Sequence, residues 1–260
     1  MMASPESLLT FLELNAGLLL PLLVAIGLGL MSLLITRRSA RALRRMPAWE
    51  ALPRMLERSA AQGLPVHLST GAAGLQGSDT LVALAGVEAI YQAARQAQGP
   101  VILTTGATTM IPLGYDTLRR AQRARGFAGT MQPGALRWFP EGSRSLAWAG
   151  ASSALMGSEL VGANLLVGSF GAELALLSLT AARHGQSFLA VSDHLDGQAI
   201  AWVTGDEPLI GEELFFAGAW LSPDPGNHAA VLMQDTLRWL LIAALVALVV
   251  LAHGGGAAPA

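Results

Sequence analysis

The sequence predicts an α/β fold, a mostly parallel sheet with covering helices, flanked by two transmembrane helices. Three observations lead there. Short β-branched runs alternate with longer helical stretches through the middle of the chain, the pattern of repeated βαβ units. An uncharged apolar run lies near each end. Of 260 residues only 13% are charged and mean hydropathy is +0.47, whereas about 25% of an ordinary globular domain is charged.

The first element is the run from Asn15 to Ile35, which holds 21 residues without a charge. As a helix at about 1.5 Å per residue it spans the roughly 30 Å hydrocarbon layer of a bilayer. Glu6 and Glu13 precede it, and Arg37, Arg38, Arg41, Arg44 and Arg45 follow it. A cleavable signal peptide carries its positive charge before the apolar run and a small-residue cleavage site after it, so this segment reads as an uncleaved anchor. The positive-inside rule then puts residues 1–14 outside, a transmembrane helix at 15–36, and a basic juxtamembrane linker at 37–64, with Pro47 and Pro53 breaking the helix. The arginines set topology; contact with anionic lipid is the alternative reading of the same cluster.

Strands follow at Val66 to Thr70, Val101 to Thr105, Leu136 to Phe139, Leu165 to Val167 and Phe188 to Ser192. Helices are expected at Asp79 to Gln98, Pro112 to Arg125, Ser143 to Ser158 and Gly171 to His184. Two further helix starts are Asp206-Glu207-Pro208 and Asp224-Pro225, each an acid before a first-turn proline. The stretch from Leu146 to Ala182 is apolar but holds Glu159 and Glu173, so it reads as the sheet's buried centre rather than a third span. Together these give a Rossmann-like cytoplasmic domain over 65–237. The run Trp239 to Ala252 is 14 residues long, and with Arg238 and Trp239 as an inner anchor pair it reads as a second transmembrane helix at 238–253. An external tail occupies 254–260. Gly27, Gly29, Ala243, Ala244 and Ala247 are the small residues through which the two helices can pack.

Composition excludes much chemistry. There is no cysteine, hence no disulfide, thiolate metal site or cysteine nucleophile. All 16 basic residues are arginine and net charge is −2, which argues against a nucleic-acid binder. Where strands run into turns the chain reads Ser69-Thr70-Gly71, Thr104-Thr105-Gly106 and Gly168-Ser169-Phe170-Gly171. Strand carboxyl ends and helix N-termini attract anions, so Ser69, Thr70, Gly71, Thr104, Thr105, Gly106, Ser169 and Gly171 are the candidate ligand residues. Against that, Gly71, Gly74 and Gly77 space as GxxGxxG rather than GxGxxG, and with no lysine there is no phosphate-binding GxxxxGK[ST] motif. Tight turns need glycine in any case, and the turns read first as structural. Asp193-His194-Leu195-Asp196 offers ligating groups without a fourth partner and reads as a solvated loop. No GxSxG elbow is present, Glu173 reads as a dipole-complementing acid, and Glu212 and Glu213 diverge by about 100° on a helix and so form no facing pair. No catalytic residue, metal or cofactor is assigned.

Thr104-Thr105-Gly106 with its following helix, Gly168-Ser169-Phe170-Gly171-Ala172-Glu173, and Leu209-Ile210-Gly211-Glu212-Glu213-Leu214-Phe215 with Ala217-Gly218-Ala219 resemble an uncharacterised bacterial family of the Chloroflexota type. Those are membrane proteins of unknown function with an apolar segment at each end. The resemblance implies the architecture and carries no catalytic residue across. The reading is therefore a membrane-anchored cytoplasmic α/β domain in the plasma membrane. Both termini lie outside, and the domain acts as a structural or assembly subunit that self-associates or joins other membrane subunits. The alternative is a sensor or enzyme binding a nucleotide or small anion at the strand ends.

Overall fold

The structure is a computed structural model, and it describes residues 17, 22–27, 29–30, 33, 45–127, 131–140, 146–205, 209–222 and 225–254. The chain divides into two compact units, one formed by 1–43 with 223–260 and the other by Arg44–Ser222.

The larger unit begins with helix α1 (Pro47–Ala61), then β1 (Val66–Gly71), a 3-10 turn (Gly77–Asp79), α2 (Thr80–Gln96), β2 (Val101–Thr105) and α3 (Met110–Ala124). It continues with β3 (Leu136–Trp138), α4 (Leu146–Ser158), β4 (Ala163–Ser169), α5 (Leu174–Arg183), β5 (Ser187–Ser192) and α6 (Leu195–Thr204). A 3-10 segment (Gly211–Phe216) and the short α7 (Ala217–Leu221) close it. All five strands are parallel, in the order β3-β2-β1-β4-β5. Each expected strand is present, as is the expected sheet type.

Parallel strands bury both faces, which is why β1, β4 and β5 are buried along their whole length. On one face α4, α5 and α6 pack Trp148, Met156, Leu174, Leu177 and Ala201 onto Leu166, Phe188 and Ala190. On the other, α2 crosses so close to β4 that a side-chain carbon at Gly86 would stand 2.5 Å from the Val167 carbonyl oxygen. Gly114 of α3 lies less tightly against the Leu103 and Leu136 side chains, at 3.0 and 3.3 Å from such a carbon.

Several local expectations change. Residues 47–61, expected within a linker, form α1, whose Trp49, Leu52 and Leu56 are buried. Pro47 opens this helix and Pro53 sits inside it, at the cost of one backbone hydrogen bond that the buried apolar face outweighs. Gly211–Phe216 winds as a 3-10 helix, because Gly211 takes φ +59° and the Glu213 carboxylate accepts the Ile210 N–H at 3.1 Å. Residues 206–208 and Asp224 lie outside the described residues, as do residues 143–145, the expected N-terminal tail and residues 255–260 of the expected C-terminal one.

In the smaller unit, helix α8 (Pro225–Gly254) runs without a break from the proline expected to start it. Gly27 faces it: a side-chain carbon there would meet the Met233 thioether, with sulfur at 2.8 Å. Most of Asn15–Ile35 lies outside the described residues, and among the described residues no helix is long and apolar enough to cross a membrane.

Gly86→Ala pushes α2 off β4 and lowers stability by about 2–3 kcal/mol. Gly150→Ala, in a helix and with nothing within 4 Å of the added carbon, raises it by about 0.5–1 kcal/mol. Denaturant midpoints of the two variants in the full chain check both signs.

Candidate functional site

The strand order reverses between β1 and β4, since β2 and β3 lie to one side of β1 and β4 and β5 to the other. In sheets of this kind the ligand crevice opens at the carboxyl ends of the two strands flanking that point. Here the chain closes it. Between Ser69 and Gly71 the register slips by one residue, so that Gly71 pairs with Ser169. Gly71 adopts φ +59°, and a side-chain carbon on it would strike the Ser169 carbonyl and stand 2.6 Å from the Phe170 ring. The fully buried Phe170 therefore fills the place where the crevice opens in related topologies.

The backbone donors at this edge are also occupied. Ala72 N–H donates to Ser169 O at 2.9 Å and Gly106 N–H to Gly71 O at 2.8 Å. Gly71 N–H goes to Ser69 Oγ at 3.1 Å, and Gly171 N–H to the Glu173 carboxylate at 2.7 Å. Ser192 Oγ accepts from the N–H groups of Phe170 and His194, each at 3.1 Å, and donates to Phe170 O at 2.6 Å.

Of the eight sequence-predicted ligand residues, Ser69, Thr70, Gly71, Thr104, Thr105, Gly106 and Ser169 are buried and Gly171 is half-buried. Ser69 Oγ donates to Thr104 O, and Thr70 Oγ1 to Thr105 Oγ1, both at 3.1 Å. These hydroxyls tie the centre of the sheet together. Gly106, one of the eight, lines an open cleft.

That cleft, of 440 Å³, lies one strand over, above the ends of β1, β2 and β3. Gln76, Asp79, Thr108, Thr109 and Trp138 supply its polar and aromatic lining. Trp138 donates its indole N–H to Gly106 O at 3.0 Å, and Leu75 N–H goes to Thr109 Oγ1 at 3.1 Å. No arginine lines it, and Asp79 stands at the N-cap of α2, the helix end at which a dinucleotide's phosphates would sit. A carboxylate there repels them. The cleft suits a small polar, uncharged molecule. The sequence pointed to the strand ends and missed these residues: Gln76, Asp79, Thr108 and Thr109 follow their strands by three to eight positions, Trp138 ends β3, and none belongs to a spacing motif.

Metal and nucleophile geometry are likewise absent among the described residues. No group of three His, Asp or Glu is placed to hold a metal ion. Asp193 and His194 lie at the mouth of α6 with Oδ1 and Nε2 3.9 Å apart, the histidine mostly exposed. Ser169 is buried at 1% exposure, with no histidine hydrogen-bonded to it.

His67, strongly perturbed by burial, is structural. Fully buried at the middle of β1, it donates from Nδ1 to Asn164 Oδ1 at 3.0 Å, and its Nε2 lies 2.9 Å from Thr104 Oγ1, whose O–H is donated to Ser69 Oγ at 2.9 Å. Asn164 passes the chain on to Gln186 Oε1 at 2.9 Å, and Gln186 to Met156 O at 2.8 Å. Burial lowers the His67 pKa to about 4; the Asn164 hydrogen bond opposes the shift and the Arg137 charge reinforces it.

Comparison with known families matches residues 10–258 to the model described as Domain of unknown function (DUF6754). No curated protein and no solved structure matches the chain.

Because the folded chain holds His67 near pKa 4 while the unfolded chain titrates near 6.5, the unfolded state takes up the proton first as pH falls. The stability this group contributes is whole above pH 6.5 and declines between 6.5 and 4 by about 3 kcal/mol, with no further loss below. Urea midpoints measured across that window should fall in the native chain and flatten in His67→Gln.

Proposed function

The chain belongs to the DUF6754 family, and from that premise we propose that it is a membrane-tethered α/β domain whose work is assembly rather than catalysis. Two apolar segments hold the Arg44–Ser222 body at the inner face of the plasma membrane, with both termini outside. The observation that carries this reading is the large apolar surface left bare on the smaller unit. Leu22, Leu23, Ile26, Leu30 and Leu33 are each more than half exposed, as are Trp239, Leu240, Leu241, Leu245, Val246 and Val249. Water does not tolerate a contiguous apolar patch of that size, whereas lipid does.

The sequence supplies what remains. Asn15–Ile35 is long enough to span, Trp239–Ala252 lies within the unbroken α8, and the arginines after the first run favour an inner-leaflet orientation. Self-association is supported by the larger unit, where Leu195, Trp202 and Val203 of α6 and Leu179 of α5 are exposed. Confinement to a plane raises the effective concentration of such surfaces toward one another. Among the described residues no group of three His, Asp or Glu is placed to hold a metal ion for a catalytic reading.

Alkaline carbonate washing of native membranes should leave the full chain in the pellet, and protease added to intact cells should spare the Arg44–Ser222 body. Release by carbonate, or digestion from outside, overturns the tether. Paired Leu30→Asp and Val246→Asp substitutions each place a charge costing about 3 kcal/mol in the hydrocarbon and should shift the chain to the soluble fraction.

A further inference from the structure

Charge in the larger unit is segregated along the strand axis. Asp79, Glu173 and Asp196 stand at the starts of α2, α5 and α6, while Arg95, Arg123 and Arg183 stand in the last turns of α2, α3 and α5. In βαβ units helices run back against the strands, so these arginines gather at the strands' amino ends, opposite the cleft just described. A cavity of 360 Å³ lies there, where α2 and α3 end and β2 begins. Ala94, Leu118 and Ala121 give it apolar walls, and Gln98, Gln122 and Arg125 give it donors.

Arg125 is the unusual member. Its Nη2 makes one hydrogen bond, to Gly99 O at 3.3 Å, and its guanidinium lies 5.1 Å from the centre of the Phe127 ring. Among the described residues four of its five N–H donors have no protein partner and no carboxylate pairs with it. Partial burial pulls its pKa below the ordinary arginine value, the mark of a charge withdrawn from water without a counter-ion. Among the described residues Arg95, Arg120 and Arg123 also make no ion pair, and Arg120 sits 5.0 Å over Tyr91, one turn before Arg95. By contrast Arg119, on the same helix, is paired with Asp116 at 3.5 Å.

Helix dipoles account for only part of this. Two helix C-termini contribute about −0.5 charge each. Together with Glu88, which is hydrogen-bonded to Gln92 at 2.8 Å, they leave a surplus of about +2 from the four arginines. A phosphate monoester carries about −1.5 to −2 at neutral pH, and the guanidinium fork matches its oxygens.

We propose that this cavity binds a phosphate group carried on a small apolar body, with Arg125 gripping the phosphate and the alanine and leucine walls taking the body. The source is either a soluble phosphomonoester or the headgroup region of an anionic lipid.

The test is calorimetric titration of the full chain in zwitterionic-lipid nanodiscs with phenyl phosphate, and separately with inorganic phosphate. Phenyl phosphate should bind and inorganic phosphate should bind more weakly, having no body to bury. Arg125→Gln should weaken phenyl phosphate about tenfold or more, the loss of a charged hydrogen bond. Arg125→Lys should fall between, and Arg119→Gln should stay within about twofold. Equal losses from Arg119→Gln and Arg125→Gln, or no loss from Arg125→Gln, overturn the site. If Arg125→Gln fails to fold by circular dichroism, Gln98→Trp, an exposed position on the cavity, decides: retained affinity overturns the proposal. Repeating the titration in nanodiscs containing phosphatidic acid separates the sources, since a lipid occupant competes and lowers phenyl phosphate affinity while a soluble one leaves it unchanged.

Discussion

The architecture of the larger unit depends on how closely β1 and β4 approach where the strand order reverses. Gly71, Gly86 and Gly168 each stand where a side-chain carbon would run into a neighbouring carbonyl, of Ser169, Val167 and Thr70 respectively. Removing three side chains lets the end of β1 fold onto β4 and lets α2 seat directly on the sheet. The gap that usually receives a ligand is consequently filled by Phe170, and its backbone donors are spent on Ser69, Ser169 and Ser192. Packing and function trade against each other at this point. Closure gives a continuous core running from Trp148 to Phe188.

Polar groups inside that core follow the same logic. His67, Thr104, Asn164 and Gln186 form one satisfied chain across β1, β2 and β4 to the start of β5, which fixes register among strands that apolar contacts alone leave free to slide. The imidazole is useful there because both of its ring nitrogens find partners in the neutral state. The same burial that stabilises the pairing makes protonation costly, so one residue couples the sheet to pH.

What the domain offers its surroundings is displaced to its two ends and its flanks. At the strands' carboxyl ends Asp79 and an arginine-free cleft face solvent; at the amino ends Arg95, Arg120, Arg123 and Arg125 do. The flank of α5 and α6 and the bare faces of the smaller unit are apolar.

The sequence by itself determined the five strands, the helices between them and the apolar character of both ends, because β-branched runs, helix caps and hydropathy are local properties that a window of residues carries. It also located the ligand candidates at strand ends, which is a consequence of strand polarity. Burial was decided only by the tertiary structure. Whether Ser69 or Thr105 faces solvent or the neighbouring strand depends on glycines up to about a hundred residues away, and no local pattern encodes that approach. The cavity beside Arg125 is likewise assembled from α2, α3 and the start of β2, which come together only in the folded chain.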